Sequence, residues 1–377
     1  MKKHIASILF LFLLSTFQLI AQSHSVKRLG IEQGLSNNYV VSITQDKQGF
    51  LWFATEEGLN KFDGTRFTTY YKNDLTQDNQ GITGNELNRV YADTKHPIIW
   101  IATQRDGLNA YNYNEQTFTA YQHNPENPHS LITNDVTDIA PSTQHDDGLW
   151  ISTYYRGIEY LDITSGQFTH YNKSTVPSLP CDQTWTVLDG GDGNLYIGHV
   201  GSGFSIFSPK DKSVKNFRNE AGNPMSLPGN DVFCIIKDAN GNIWLGTNNG
   251  LALYDAANEN FITFKNNKND KYATLCSRIL SIRQLKDNRL WIASELNGIA
   301  ILNLKQSMFL SPEEISLEYI QEGADNRSLS NASARCIFQD SFDNIWIGTW
   351  GGGINFISSK PPLFTTLSYS PIPNNEN

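Results

Sequence analysis

Two tryptophans and four arginines have side chains suited to ligand recognition. The tryptophans are Trp185 and Trp350. An indole ring can stack on the apolar face of a sugar ring while neighbouring polar groups bond the sugar hydroxyls, although local packing is the alternative for each. The arginines are Arg105, Arg156, Arg278 and Arg335. Because a guanidinium group matches a carboxylate or a sulfate, they predict contact with an acidic sugar. The alternative is neutralisation by nearby acids, which are Glu56, Glu57, Asp106 and Glu295.

Other candidates come from polar turns and from one histidine. Turns whose composition varies along the chain supply further candidate ligand-binding residues, and ordinary solvated turn residues are the alternative. These candidates are Glu56, Glu57, Tyr154, Tyr155, Asn248 and Glu295. His199 stands where similar segments have Thr or Ser. We expect His199 to face an opening of the protein, as a general base would, with a hydrogen-bonded structural histidine as the alternative. The sequence carries no motif of a serine hydrolase, zinc protease, P-loop enzyme or dinucleotide-binding enzyme.

A repeated unit must position these residues, and residues 34–71 show it in full. Four short apolar runs alternate with turns rich in Gly, Asn and Asp, which is typical of a meander of β-hairpins. One aromatic residue of the unit recurs at intervals of 46 to 55 residues, as Trp52, Trp100, Trp150, Tyr196, Trp244, Trp291 and Trp346. An aliphatic residue that opens each unit recurs in step, as Leu35, Ile82, Leu131, Leu179, Leu227, Leu275 and Leu329. The two series agree on seven copies.

Units of this length with four strands each predict an all-β fold, a seven-bladed β-propeller with four-stranded antiparallel blades. The repeated aromatic residues should pack between neighbouring blades rather than bind a ligand. The predicted outer strands cover 67–71, 118–121, 168–171, 214–217, 261–264, 317–320 and 364–367. Residues 25–29 have the character of one more outer strand, so we expect them to pair with blade seven and close the ring, which removes an open sheet edge.

The turns between second and third strands should lie on one face of this ring. The loops that enter the first strands should share that face, with Asn38, Asn85, Asn134, Asp182, Asn230 and Arg278. Variable residues on a constant frame indicate recognition, so a binding site is expected at this opening.

Composition narrows the function classes. The formal net charge of −9 disfavours a nucleic-acid partner, which would need a basic surface. The four cysteines are Cys181, Cys234, Cys276 and Cys336, and none forms a CxxC pair, so no metal site and no cofactor is predicted. Buried thiols are favoured over disulfides, with Cys181 and Cys276 as the members most open to oxidation.

The N-terminus carries the pattern of a secretory signal. Lys2 and Lys3 precede an apolar run over 5–20, and Ala21 supplies a small residue for cleavage. We assign 1–21 to a signal peptide, with an uncleaved anchor as the alternative, and 22–368 to the propeller. Residues 369–377 resemble the linkers between blades, so the chain is expected to be part of a longer protein. No other stretch is long and apolar enough to span a membrane.

Three segments carry a resemblance to a known family: GFLWFATEEGLNKFD, GNIWLGTNNGLALYD and DNIWIGTWGGGINFI. They resemble the two-component-regulator propeller repeats of periplasmic sensors in hybrid two-component systems of Bacteroidetes. The resemblance implies a periplasmic, non-enzymatic propeller that contributes to detection of oligosaccharides from polysaccharide breakdown. It also implies further receptor domains as partners; a homodimer is a further expectation. A rigid scaffold for dimerisation or for docking a second propeller is one alternative. A lyase resembling the propeller lyases of streptogramin antibiotics, with His199 as base, is another.

Overall fold

The described residues form a ring of seven four-stranded antiparallel sheets, as the sequence predicts. The computed structural model describes residues 25–73, 81–264, 272–304 and 316–360. The predicted signal peptide, the strand at 364–367 and the linker at 369–377 lie outside these residues. Within the described ranges, no helix is long and apolar enough to cross a membrane. Each predicted outer strand inside them begins and ends within one residue of its expected position.

The strands are numbered in chain order from β1 (Val26–Leu29). Blade 1 holds β2 (Val40–Gln45), β3 (Leu51–Thr55), β4 (Gly58–Phe62) and β5 (Phe67–Tyr70). Blade 2 holds β6 (Leu87–Ala92), β7 (Ile98–Thr103), β8 (Leu108–Asn112) and β9 (Thr117–Tyr121). Blade 3 holds β10 (Val136–Pro141), β11 (Gly148–Thr153), β12 (Gly157–Asp162) and β13 (Gln167–Tyr171). Blade 4 holds β14 (Thr184–Asp189), β15 (Leu195–His199), β16 (Phe204–Phe207) and β17 (Val214–Phe217).

The remaining blades repeat this order. Blade 5 holds β18 (Val232–Lys237), β19 (Ile243–Thr247), β20 (Gly250–Asp255) and β21 (Asn260–Thr263). Blade 6 holds β22 (Ile279–Gln284), β23 (Arg289–Ser294), β24 (Ile299–Asn303) and β25 (Leu317–Ile320). Blade 7 holds β26 (Ala334–Gln339), β27 (Ile345–Thr349) and β28 (Ile354–Ile357), together with β1. Two 3-10 turns, Ile31–Gln33 and Thr274–Cys276, complete the described helices.

The N-terminal strand closes the ring, which confirms the sequence prediction. β1 pairs antiparallel with β28, with Val26 opposite Ile357 and Leu29 opposite Ile354. The first and last blades are therefore joined by a strand from the opposite end of the described chain. This pairing covers the edge of β28 that would otherwise be open.

Each blade packs on the next through its repeated aromatic and aliphatic residues. The seven opening aliphatic residues are all at most 3% exposed, and the repeated aromatic residues are at most 9% exposed. Trp52, for example, packs against Tyr111 of blade 2, with ring centroids 5.4 Å apart. The aromatic residues of the repeat thus have the structural role expected for them.

A buried aspartate fixes the indole of the regular blades, and sequence reasoning missed it. The Nε1 of Trp52 donates to Asp46 at 2.8 Å, and the same carboxylate accepts from the backbone N–H groups of Gln48 and Phe50. Blades 2, 5 and 7 repeat the indole–carboxylate bond with Asp93, Asp238 and Asp340. The carboxylate therefore satisfies the buried indole N–H and also stabilises the hairpin turn between the first two strands.

Cys181, Cys234 and Cys336 are free thiols. Cys234 and Cys336 occupy equivalent positions, each opposite a glycine of the next strand. Burial raises the pKa of both thiols to about 12, so they are un-ionised packing residues.

Candidate functional site

The turns between second and third strands and the loops that enter the first strands lie on one face, here called the loop face. Backbone hydrogen bonds connect them within each blade and between blades. The N–H of Glu56 donates to Tyr39 of the same blade at 3.3 Å, and the N–H of Gly58 donates to Asn85 of blade 2 at 2.8 Å. The N–H of Gly353 in blade 7 donates to the backbone carbonyl of Asn38, so the same kind of bond joins blade 7 to blade 1. The loop face is therefore a continuous rim, as predicted.

Every inner strand carries a β-bulge at its second residue, on the loop-face end. A bulge leaves its extra residue outside the ladder and re-aims the side chain. The seven bulged positions hold Val41, Asn88, Thr137, Trp185, Phe233, Leu280 and Arg335. Two of the predicted site residues, Trp185 and Arg335, are thus placed by the same backbone device.

Aromatic rings form a connected series along blades 3, 4 and 5. Tyr155 and Tyr154 meet edge to face at 4.4 Å, Tyr154 lies 6.1 Å from Trp185, and Trp185 lies 5.7 Å from Phe233. Tyr155 is 55% exposed, whereas Tyr154, Trp185 and Phe233 are half-buried. The partial burial holds the rings in place and leaves aromatic surface accessible at the rim.

Arginines continue this series through blades 6 and 7 to blade 1. The guanidinium of Arg278 lies 5.2 Å from the ring of Phe233 and pairs with Glu295 at 3.1 Å. The guanidinium of Arg335 lies 4.5 Å from the ring of Trp350, and Trp350 meets Tyr39 edge to face at 5.1 Å. We call the whole series the rim arc; its members are Tyr155, Tyr154, Trp185, Phe233, Arg278, Arg335, Trp350 and Tyr39.

The charge of Arg335 is the least solvated of the rim arc. Burial lowers its pKa, while the negative charges of Glu295 and Glu56 act in the opposite direction. The positive charge of Arg278 adds to the lowering. Arginine stays protonated in proteins, so the site holds a partly buried cation among two carboxylates and a second guanidinium.

The other predicted site residues are spread around the rim. Arg105 and Arg156 are exposed on blades 2 and 3, outside the rim arc. Glu57 accepts from the side-chain amide of Asn85 at 3.2 Å, and the side chain of Asn248 accepts from the N–H of Asp231 at 3.3 Å. The structure therefore brings together six of the predicted residues at the rim arc itself, with Glu295 and Glu56 beside Arg335.

The amide and carboxylate side chains of the inner-strand loops have structural partners. They accept hydrogen bonds from backbone N–H groups of the segment that precedes each loop. The acceptors are Asn38, Asn85, Asn134, Asp182 and Asn230. Arg278 is the member of this series that contacts the rim arc instead.

The expectation that His199 faces the opening is wrong. The side chain of His199 is fully buried; its Nε2 lies 2.8 Å from the hydroxyl of Ser205, and its Nδ1 lies 3.5 Å from the thiol of Cys181. Burial lowers the pKa of His199 to about 4. The other blades explain the burial, because the equivalent Thr55 hydroxyl is also buried and donates to the carbonyl of Gly58. His199 therefore occupies a turn-stabilising position inside the blade.

Two members of the rim arc, Phe233 and Tyr39, are absent from the sequence-based candidates. Phe233 occupies in blade 5 the position that Trp185 occupies in blade 4, and that equivalence was the available signal. Tyr39 precedes the first strand of blade 1, where no exceptional residue type marks it. Within the described residues, no group of three or more His, Cys, Asp or Glu side chains is arranged to hold a metal ion.

Three blades match a known repeat family. Residues 34–57, 226–249 and 328–351 match the family described as "Two component regulator propeller". These segments fall in blades 1, 5 and 7. Blades 1, 5 and 7 therefore contain two-component regulator propeller repeats. The resemblance inferred from the Trp-containing segments is confirmed.

A solved structure from Bacteroides thetaiotaomicron resembles the present chain over most of the present chain's length. The extracellular domain of the putative hybrid two component system BT3049 is 65% identical, with a TM-score of 0.81. The alignment covers 92% of this chain and 43% of that chain. The present chain therefore spans less than half of that extracellular domain.

Two further comparisons reach less far. "Histidine kinase P4" of Formosa agariphila is 42% identical over 66 residues, which are 18% of this chain and 5% of that protein. A catalytically inactive virginiamycin B lyase from Staphylococcus aureus, solved with quinupristin, is 14% identical with a TM-score of 0.63. The alignment covers 89% of this chain and 99% of the lyase. At that identity the likeness shows a shared propeller fold alone.

Proposed function

We propose that this propeller is a periplasmic ligand-recognition domain of a hybrid two-component regulator, exported by the signal peptide at 1–21. Its ligand is an oligosaccharide released by polysaccharide breakdown, and it binds at the rim arc. The observation that carries the proposal is the connected series of partly exposed aromatic rings that ends at Arg278 and Arg335. The 65% identical extracellular domain of a hybrid two-component system supports the receptor context.

The chemistry of the rim arc favours a saccharide with an acidic group. Trp185 and Trp350 offer indole faces on which a sugar ring can stack. Arg335 offers a guanidinium fork for a carboxylate or sulfate, and its partial burial strengthens such a bond. Glu295 and Glu56 would accept hydroxyl hydrogens next to it. A binding role without chemistry on the ligand fits these groups, because the side chain of His199 is buried inside blade 4.

The test is calorimetric titration of the purified chain with a panel of neutral and uronic-acid oligosaccharides. A uronic-acid member should bind, and Trp350→Ala, Trp185→Ala and Arg335→Gln should each weaken binding about tenfold or more. Phe342→Ala is the matched control, because Phe342 is an exposed aromatic residue, 73% exposed, in the hairpin between the first two strands of blade 7, on the opposite face. Absence of binding across the whole panel would refute recognition by this propeller.

A scaffold role is the second candidate, and the size of the related structure favours it. The chain spans 43% of that extracellular domain, and in a receptor of that length further domains would be present to contact the loop face. Leu296 on this face is 71% exposed, as an apolar contact to another domain would require. In an intact receptor, ligand response that survives Trp350→Ala and Arg335→Gln would assign the loop face to docking or dimerisation.

A further inference from the structure

A cleft opens between blades 3 and 4 on the face opposite the rim arc. We call this the hairpin face, because it carries the turns between first and second strands and between third and fourth strands. The cleft has a volume of about 1050 Å³. Its walls include three aromatic side chains, Trp150, Tyr160 and Tyr171. A space of this size accommodates a disaccharide or another small organic molecule.

The cleft lies where blade 3 lacks the buried aspartate of the regular blades. Ser142 stands at the position of the buried aspartate that binds the indole in blades 1, 2, 5 and 7. The indole of Trp150 therefore donates across the blade boundary to Asp189 of blade 4, at 3.2 Å. Thr143 also reaches across, and its hydroxyl donates to Asp189 at 2.6 Å. The hairpin turn between the first two strands of blade 3 thus contacts blade 4 at Asp189, and the cleft lies beside this contact.

The aromatic walls present ring surface and hydroxyl groups to this space. Tyr160 lies 4.9 Å from Trp150, and Tyr171 lies 5.7 Å from Trp150 on the side of blade 4. Both tyrosines are half-buried. In the described part of the chain, neither phenol hydroxyl has a hydrogen-bond partner in the protein. Two held rings with unused hydroxyls are the elements of a polar small-molecule site.

Charge decides which ligand such a site would take. The lining includes five carboxylates against one lysine, Lys210; the carboxylates are Asp146, Asp147, Asp162, Asp189 and Asp192. Some of them are engaged already, since Asp146 pairs with Lys95 and Asp147 bonds His96. Hydrogen bonds from Ser165 lower the pKa of Asp162. Burial acts to raise the pKa of Asp192, but hydrogen bonds from Asn194 and Tyr196 outweigh it and lower that pKa, so both carboxylates are ionised at neutral pH. The cleft is negative, whereas the rim arc carries guanidinium groups.

We propose that the cleft is a second binding site, for a small molecule that carries a protonated amine. The amine would lie near Asp162 and Asp192, and its ring or chain would lie on Tyr160 and Tyr171. Electron-rich phenol rings attract a cation over their faces, which adds to the attraction of the carboxylates. Amino sugars and linear polyamines share this chemistry. The site is independent of the proposed rim site, because it lies on the opposite face and uses different residues.

Titration calorimetry of the full chain at low and high salt tests the site. The probes are the glucosamine disaccharide, its neutral N,N′-diacetyl form, and spermidine. Asp162→Asn should weaken binding of the amines about fivefold, as expected for one exposed charge pair, and Tyr160→Leu should weaken it further. Asp255→Asn is the matched control, because Asp255 bonds the equivalent turn of blade 5 and lies outside the cleft. Trp350→Ala should leave amine binding unchanged.

The results with the three probes distinguish an amino-sugar ligand from a linear amine and can also contradict the proposed site. Binding of the amino disaccharide alone identifies an amino-sugar site, and binding of spermidine alone identifies a linear-amine site; either supports the inference. Equal binding of the neutral disaccharide would overturn the amine assignment. An equal effect of Asp162→Asn and Asp255→Asn would reduce the attraction to non-specific charge, and absence of amine binding at millimolar concentration would refute the site.

Discussion

Blades 1 and 4 bury polar side chains at the same positions of the repeat and fill those positions with different chemistry. In blade 1 the Asn60 side chain bonds the backbone N–H and the hydroxyl of Ser36, and the Thr55 hydroxyl bonds the turn. In blade 4 the same two positions hold Ser205 and His199, which bond each other. The first arrangement contains no group that titrates near neutral pH, and the second contains an imidazole.

Blade 3 departs from the repeat in a similar way. At the position of Asn60 it holds Glu159, which is fully buried and lies 2.9 Å from the imidazole Nδ1 of His170. Glu159 also accepts from the N–H of Ile132. An ionisable group therefore replaces the neutral amide in blade 3 and the threonine hydroxyl in blade 4. The frame thus tolerates several polar arrangements at these positions, and in blades 3 and 4 the arrangement includes a buried group with a shifted pKa.

The largest expected loss of stability comes from removing the buried aspartate of a regular blade. Asp46→Ala removes the acceptor of the Trp52 indole and of two backbone N–H groups inside the blade. Leaving a buried indole N–H and a hairpin unsatisfied should lower the free energy of unfolding by about 3 kcal/mol. Urea unfolding followed by tryptophan fluorescence measures the loss. Asp63→Ala, at an exposed turn of the same blade, is the control and should cost much less; equal losses would contradict the role given to Asp46.

The second prediction concerns how the stability of the protein depends on pH through His199. The folded pKa of His199 is about 4, below its ordinary value of 6.5. A base with a lowered folded pKa contributes stability above pH 6.5, and that stability is lost as the pH falls toward 4. The shift corresponds to on the order of 3 kcal/mol between pH 7 and pH 4. His199→Thr restores the residue of the regular blades and should remove this part of the acid sensitivity, measured as unfolding free energy at both pH values.

His170 supplies the opposite sign within the same pair of blades. Its bond to Glu159 raises the pKa of His170, and burial raises the pKa of Glu159. Groups with raised folded pKa values contribute stability below their ordinary values, and it is lost as the pH rises through the folded values. His170→Gln should therefore remove the loss of stability that His170 itself contributes as the pH rises above 6.5, whereas His199→Thr removes the loss that His199 contributes as the pH falls below 6.5. The same slope change in both variants would contradict the two environments described for them.

The sequence predicted the frame better than the site, and the reason is physical. A blade buries its aromatic and aliphatic residues at fixed spacings, so Trp52 and Leu35 recur wherever a blade occurs. The buried aspartate was missed although its spacing is regular, since Asp46 precedes its tryptophan by six residues, as in blades 5 and 7. The rim arc was not visible as a unit, because bulges re-aim Phe233 and Arg335 and no local pattern marks a bulge. The error at His199 arose from treating a repeated Thr position as exposed, when its hydroxyl is a buried turn bond.

The smallest expected effect concerns blade 6, where the indole bond is missing. Leu285 stands at the aspartate position, and within the described residues the Nε1 of Trp291 has no hydrogen-bond partner. Trp244 in blade 5 is equally buried and donates to Asp238 at 3.0 Å. Trp291→Phe and Trp244→Phe remove the same volume, but only Trp244→Phe removes a hydrogen bond.

Trp244→Phe should therefore cost about 1 kcal/mol more unfolding free energy than Trp291→Phe. Arg289 lies 5.8 Å from the Trp291 ring, and a phenylalanine keeps an aromatic face for that contact. The two variants are compared by urea unfolding under identical conditions. An equal or larger loss for Trp291→Phe would mean that the indole–aspartate bond contributes nothing beyond ring packing. The regular and irregular blades would then differ in chemistry without differing in stability.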